Sequence, residues 1–149
     1  MISGGKLSHK QMGKGVEVMS EKYEKYIVRE PKIVDSFEKH AKGKYQILMD
    51  DELVPGAEFF IVGGISKRIY QDNPLTKHTH DVNETYLFLS KKGDSEIEVE
   101  LGDETYSVLP PASIYIPKGV PHIFRYKRID SPLTVVAIVQ GGTYKTFDV

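Results

Sequence analysis

The sequence contains no cysteine. Without thiols the chain can form no disulfide, thiolate metal site, iron–sulfur cluster or cysteine nucleophile, so any metal chemistry must use nitrogen and oxygen donors. It also lacks a charge surplus. The 20 Lys and Arg nearly cancel the 21 Asp and Glu, leaving no overall field to hold the protein on nucleic acid or on an anionic membrane. No apolar run approaches the ~18 residues of a membrane span, and the stretch from Met1 to His9 lacks the basic start and long apolar core of a signal peptide. Together these absences lead us to expect a soluble, cytoplasmic protein whose partners are small molecules or copies of itself.

The length of 149 residues suits one domain, and such a domain buries roughly 68–70% of the surface its unfolded chain exposes. Residues 1–15 are rich in Gly, Ser and Lys and read as a flexible N-terminus, with 16–149 as a single domain. Val16, Met19, Tyr23, Tyr26 and Ile27 follow helical spacing, although Tyr26–Val28 suits a strand equally. Pro31 at a first helical position, Ile33, Val34, Phe37 and Ala41 on one face, and Gly43 as a stop predict a short amphipathic helix. Beyond Tyr45 the pattern changes to short β-rich runs: Tyr45–Met49, Glu58–Tyr70, Glu84–Leu89, Ile97–Leu101, Thr105–Leu109, Ser113–Ile116, His122–Tyr126 and Leu133–Val139. Many short strands at hairpin spacing predict an all-β antiparallel barrel or sandwich with a short N-terminal helical extension. In the hairpin turning at Gly102-Asp103, Ile97, Val99 and Leu101 share one face, and Glu96, Glu98 and Glu100 form a solvated row on the other.

Chemistry concentrates in Lys77-His78-Thr79-His80-Asp81-Val82-Asn83-Glu84. Side chains two apart on a strand share a face, with Cα atoms about 6.5–7 Å apart, so His78 and His80 can converge on one ion. On an unbroken strand Glu84 would lie roughly 13 Å beyond His80, out of reach. Asp81 and Asn83 supply turn chemistry between them, which would bring Glu84 to the start of the neighbouring antiparallel strand with its carboxylate opposite the histidines. In Pro117-Lys118-Gly119-Val120-Pro121-His122 a tight turn aims a fourth candidate ligand, His122. Three imidazoles and a carboxylate suit one divalent transition metal among Fe, Mn, Ni, Co, Cu and Zn.

The stretches HTHDVNE and PKGVPH resemble the two motifs of the cupin superfamily, His-x-His-x3-Glu and Pro-x-Gly-x2-His, over about residues 55–140. The chain departs from the family pattern at turn glycines, which fall here at Asp72, Lys91 and Pro111, and at an asparagine replaced by Tyr126. The resemblance implies a cupin-like antiparallel β-barrel, a double-stranded β-helix or jelly roll, with His78, His80, Glu84 and His122 as metal ligands. It also implies a homodimer. The remaining histidines, His9 and His40, read as structural residues.

Strand parity turns Tyr86 and Phe88 inward after Glu84, and Phe124 and Tyr126 inward after His122. These four, with Arg68 as a carboxylate-binding candidate near the barrel mouth, form the expected substrate site, and Tyr86 and Tyr126 are the candidates for proton chemistry. Leu87 and Leu89 then face outward, which calls for a cover from residues 16–43 or from a second subunit. The function expected is that of a metal-dependent enzyme acting on a small organic, possibly carboxylate-bearing, molecule, with dioxygenase, decarboxylase, isomerase and lyase chemistry all open. The alternative is a metal-containing small-molecule binding or sensing module without turnover.

Overall fold

The computed structural model describes residues 22–40, 43–69, 76–141 and 143–149. Its strands are β1 (Lys32–Val34), β2 (Tyr45–Met49), β3 (Phe59–Ser66), β4 (His78–Thr79), β5 (Glu84–Leu89), β6 (Ser95–Leu101), β7 (Glu104–Val108), β8 (Ala112–Ile116), β9 (His122–Ile129), β10 (Leu133–Gln140) and β11 (Phe147–Asp148). They form two antiparallel sheets, ordered β1-β2-β3-β10-β5-β8 and β11-β4-β9-β6-β7. This is the expected all-β jelly-roll architecture. The core lies between the sheets, where Phe60, Val62, Phe88, Ala137 and Val139 of the first meet Ile97 and Val99 of the second.

Period-two patterning explains the faces. Ile97 and Val99 are fully buried, while Glu98 and Glu100 on the other face are half-buried beside the Arg125 guanidinium, so the glutamate row is an outer face as its alternation implied. The hairpin turns at Gly102, whose φ of 62° lies in the left-handed region that glycine adopts without strain.

Among the described residues of Pro31–Gly43 the expected helix is not there. Lys32–Val34 instead pairs with β2 (Lys32↔Ile47, Ile33↔Gln46, Val34↔Tyr45), and the chain then turns, with Lys39 at φ 63°. Two adjacent β-branched residues favour extended backbone, and pairing satisfies the otherwise open edge of β2, which outweighs an apolar spacing compatible with a helix. Before β1, the described residues contain only a single 3-10 turn at Glu24–Tyr26. Residues 1–15, and residues 16–21 of the Val16–Glu30 reading, lie outside the described residues.

A loop anchor behind β1 supplies a first prediction. The Asp50 carboxylate is largely buried, accepting from Lys32 Nζ at 2.7 Å and from the backbone N–H groups of Leu53 at 2.7 Å and Glu52 at 3.1 Å. Burial opposes its ionisation, but these donors outweigh burial and hold its pKa below the ordinary value. A group depressed in this way contributes stability above its unfolded pKa, and that contribution is lost as pH falls through the folded value. Asp50→Ala is therefore expected to lower stability by about 1 kcal/mol at pH 7. In urea titrations its difference from wild type should shrink below about pH 4. A difference that is constant from pH 7 to 3 would contradict this account.

Candidate metal centre

The four motif residues arrive from three strands and two sheets. His78 opens β4 and His122 opens β9, and the two are direct partners in the register of that pair, which sets their ring centroids 4.6 Å apart. His80 follows β4 immediately, its ring 5.1 Å from His78 and 5.2 Å from His122. Glu84 opens β5, which belongs to the opposite sheet and is no neighbour of β4, a correction to the adjacent strand expected from the sequence. The reason lies in the turn: residues 81–83 carry the chain across the gap between sheets, and Asn83 pins that crossing. Its side chain donates to Gln140 Oε1 at 2.9 Å and accepts from Lys118 N at 3.1 Å, and its carbonyl accepts from Gln140 N at 3.0 Å. The carboxylate still ends opposite the histidines, with Oε2 at 3.4 Å from His80 Nε2 and 3.3 Å from His122 Nε2.

The second motif is held to the first by backbone. Gly119 N donates to the His80 carbonyl at 2.8 Å, in a turn that requires φ 77° at Gly119. Any Cβ at that position is strained, so the glycine of Pro117–His122 fixes the distance between the two histidine-bearing segments.

The histidines present a common face. His78 Nδ1 donates to Thr76 O at 2.8 Å, His80 Nδ1 to Lys145 O at 2.5 Å and His122 Nδ1 to Val120 O at 3.0 Å. A carbonyl only accepts, so Nδ1 carries the proton and each Nε2 offers its lone pair inward. His80, Glu84 and His122 place ligand atoms within 4.8 Å of one another, a set that could hold a metal ion, and His78 belongs to a second such set with His80 and His40. His78, His80, Glu84 and His122 are all at most 4% exposed, and His78 Nε2, His122 Nε2 and both Glu84 oxygens have no hydrogen-bond partner. Burying a carboxylate and two lone pairs without partners is costly, and a divalent cation among them offsets that cost, so these residues fit a metal.

The local electrostatics point the same way. Burial pushes the His78 imidazole down to about 4, keeping it neutral. Burial also opposes ionisation of Glu84, but the imidazoles of His122 and His80 outweigh it and hold the carboxyl at about 2. His80 moves upward, because the Glu84 carboxylate overcomes the downward effect of burial. The centre therefore holds a fixed negative charge among its imidazoles.

A cavity of about 170 Å³ opens beside His78 and His40. Tyr86, Phe124 and Tyr126 line it as strand parity implied, together with Phe37, Tyr45 and Tyr144. Burial raises the pKa of Tyr86, Tyr126 and Tyr144, so all three remain protonated phenols. Two expected wall residues do not line it. Phe88 is 1% exposed within the core cluster, stacked on Tyr86 at 5.8 Å, and Arg68 is exposed beyond the end of β3. Parity tells which face a side chain takes but not how deep along the strand the cavity reaches.

Two residues were missed by sequence reasoning. His40, read as structural, sits with its ring 4.6 Å from His78. Tyr144 places its hydroxyl 2.7 Å from His40 Nε2 and 3.3 Å from His80 Nε2. Neither lies in a motif, and no local signal marks them. His9 lies outside the described residues.

No protein-family model matches the sequence, and no curated protein matches it. Solved structures do match in shape. A protein from Planctomyces limnophilus aligns over 79% of this chain and 90% of its own, with a TM-score of 0.56 and 17% identity. A cupin-2 domain protein from Rhodospirillum rubrum aligns over 80% of this chain and 75% of its own, at 0.55 and 13%. The Fe(II) form of HppE aligns over 74% and 56%, at 0.51 and 19%, so this chain spans a little over half of that protein. The protein is a double-stranded β-helix. Its fold is that of the cupins.

Proposed function

We propose that the protein is a metal-dependent cupin-type enzyme acting on a small organic molecule, with one divalent transition metal held by His78, His80, Glu84 and His122. The observation that carries this reading is the cluster of partnerless buried donor atoms, in which His78 lines an aromatic cavity. A likeness in fold to a protein crystallised with Fe(II) supports it. When bound, such an ion supplies Lewis-acid or redox chemistry at positions the protein leaves exchangeable. The chain's own part is to orient the ligands through the Nδ1 bonds, to exclude water with aromatic walls, and to place the phenols of Tyr86 and Tyr126 in the cavity. Dioxygenase, decarboxylase, isomerase and lyase reactions all fit this arrangement, and a carboxylate-bearing substrate suits a site that binds anions through a cation.

The test is a metabolite-pool screen with metal-loaded protein, with and without oxygen, followed by mass spectrometry. Conversion of one compound is the expected outcome, and hydroxy or keto acids should compete with it. Tyr86→Phe and Tyr126→Phe should leave metal occupancy intact, while at least one lowers turnover by about 10²-fold or more. Retention of a compound without conversion under both atmospheres would replace the enzyme by a binding or sensing module.

The same reading places the protein in the cytoplasm as a homodimer. Among the described residues, Ile65 of β3 and Leu89 of β5 flank Thr134 of β10 in register on the outer face, 63% and 46% exposed, with Leu87 half-buried beside them. An apolar row in the middle of a sheet face calls for a cover. Sedimentation should give a dimer that Leu89→Glu dissociates. A wild-type monomer would refute the dimer.

No helix among the described residues is long and apolar enough to cross a membrane.

A further inference from the structure

His40 stands outside both motifs and is only half-buried, yet its ring is held by the same kind of backbone bond as two of theirs. Its Nδ1 donates to the carbonyl of Glu38, two residues back, at 2.6 Å. His78 and His122 make the same two-residue bond to Thr76 and Val120. As in those rings, the proton is thereby fixed on Nδ1 and the Nε2 lone pair is turned away from the backbone. Its distance to His78 equals that between His78 and His122, 4.6 Å between centroids in each pair. The ligand atoms of His40, His78 and His80 lie within 4.8 Å of one another, in a set that shares His80 with that of His80, Glu84 and His122, and the Nε2 of His78 has no other partner.

The placement of His40 rests on contacts from distant parts of the chain. Lys39 pairs with Asp148 of β11, and Lys39 O accepts from Thr76 N at 3.5 Å. The strand β11 in turn pairs with β4, Asp148 facing His78 in register. The turn bearing His40 is therefore fastened to the same strand that delivers His78. One group competes for His40: the Tyr144 hydroxyl, which lies 2.7 Å from its Nε2.

We propose that His40 is a fifth protein ligand of the metal, making a set of four imidazoles and one carboxylate, and that the Tyr144 hydroxyl is what its Nε2 gives up when the ion binds. This rests on the metal-centred reading above and goes beyond the ligand set of its two motifs. On a six-coordinate ion such a set leaves one exchangeable position rather than two, so a chelating anion must displace one protein ligand to bind through both its oxygens, and His40 is the one with the Tyr144 hydroxyl to return to. His40 then acts as a removable cap that favours ligands bound through a single atom.

The experiment loads the full-length wild type, His40→Gln and Tyr144→Phe with Co(II) and counts imidazole ligands by X-ray absorption. Co(II) affinity is measured alongside by competition with a chromophoric chelator, and oxalate affinity of the loaded proteins by calorimetry. Four imidazoles are expected in wild type and three in His40→Gln, with Co(II) bound at least 10-fold more weakly in that variant. Tyr144→Phe should bind Co(II) several-fold more tightly, since it removes the competitor for Nε2. Oxalate should bind His40→Gln several-fold more tightly than wild type, since no cap need be displaced. Three imidazoles in loaded wild type would overturn the proposal while leaving the metal centre standing, and that count decides even if His40→Gln fails to fold. Failure of wild type to bind Co(II) at all would overturn the metal centre itself, and this inference with it.

Discussion

Purified without added metal, the protein is expected to carry close to one divalent ion per chain, and His80→Ala, Glu84→Ala and His122→Ala each to bind it at least ~100-fold more weakly. The magnitude follows from what surrounds the ion. Loss of an outer partner of a metal ligand costs about 10- to 100-fold in affinity, and loss of a ligand itself removes both the bond and the charge or lone pair that pre-organised it. Glu84 should matter most, because it is the one anion among the four candidate ligands and its carboxyl is held at about 2 against burial. Occupancy should also fall with pH. A ligating imidazole must be neutral, so protons compete with the metal increasingly below the ordinary histidine value of ~6.5, and chelator treatment should give the same metal-free protein at neutral pH. Reloading should restore stability by about 2.7 kcal/mol at a free-metal concentration 100 times Kd. Elemental analysis of the variants, with His9→Ala as the unaffected control, is the measurement. Equal occupancy in all of them would remove His80, Glu84 and His122 from the centre.

That these residues are legible in the sequence follows from how local their signals are. The period of two that puts His78 and His80 together, the turn residues at Asp81 and Asn83, and the glycine of the second motif all act over a few neighbours. The strands Tyr45–Met49 and Glu84–Leu89 likewise match β2 and β5 residue for residue. What escaped was carried by pairing between distant segments. β1 is a strand because the edge of β2 is there to receive it, and its own sequence also fits a helix. The two-residue strand β11 forms on β4, and His40 and Tyr144 meet across 104 positions. The crossing between sheets after His80 depends on Gln140 and Lys118, to which Asn83 is bonded. A pattern read along the chain holds no record of such partners, so the ligands were visible while the groups that close over them were not.

Depth along a strand was equally invisible, and it decides the second large effect. Tyr86 and Phe88 point the same way from β5, but Tyr86 lines the cavity while Phe88 is 1% exposed among core residues. Its ring packs on Tyr86 at 5.8 Å and edge-on to Phe124 at 5.5 Å, so a truncation leaves a void that both sheets border. Phe88→Ala is therefore expected to destabilise the protein by about 3–5 kcal/mol. Against a total of roughly 5–15 kcal/mol, that brings the chain to the margin of folding. Phe124 is half-buried and already faces the cavity, so Phe124→Ala creates less new void and should cost about 1–3 kcal/mol. The two should separate in function as well. Phe124→Ala is expected to change the affinity of the loaded protein for its ligand, whereas Phe88→Ala should leave that affinity nearly unchanged wherever enough protein remains folded to measure it. Urea unfolding of the metal-free variants, followed by circular dichroism, gives the stabilities. A cost below about 1 kcal/mol for Phe88→Ala, together with altered ligand affinity, would return Phe88 to the cavity wall.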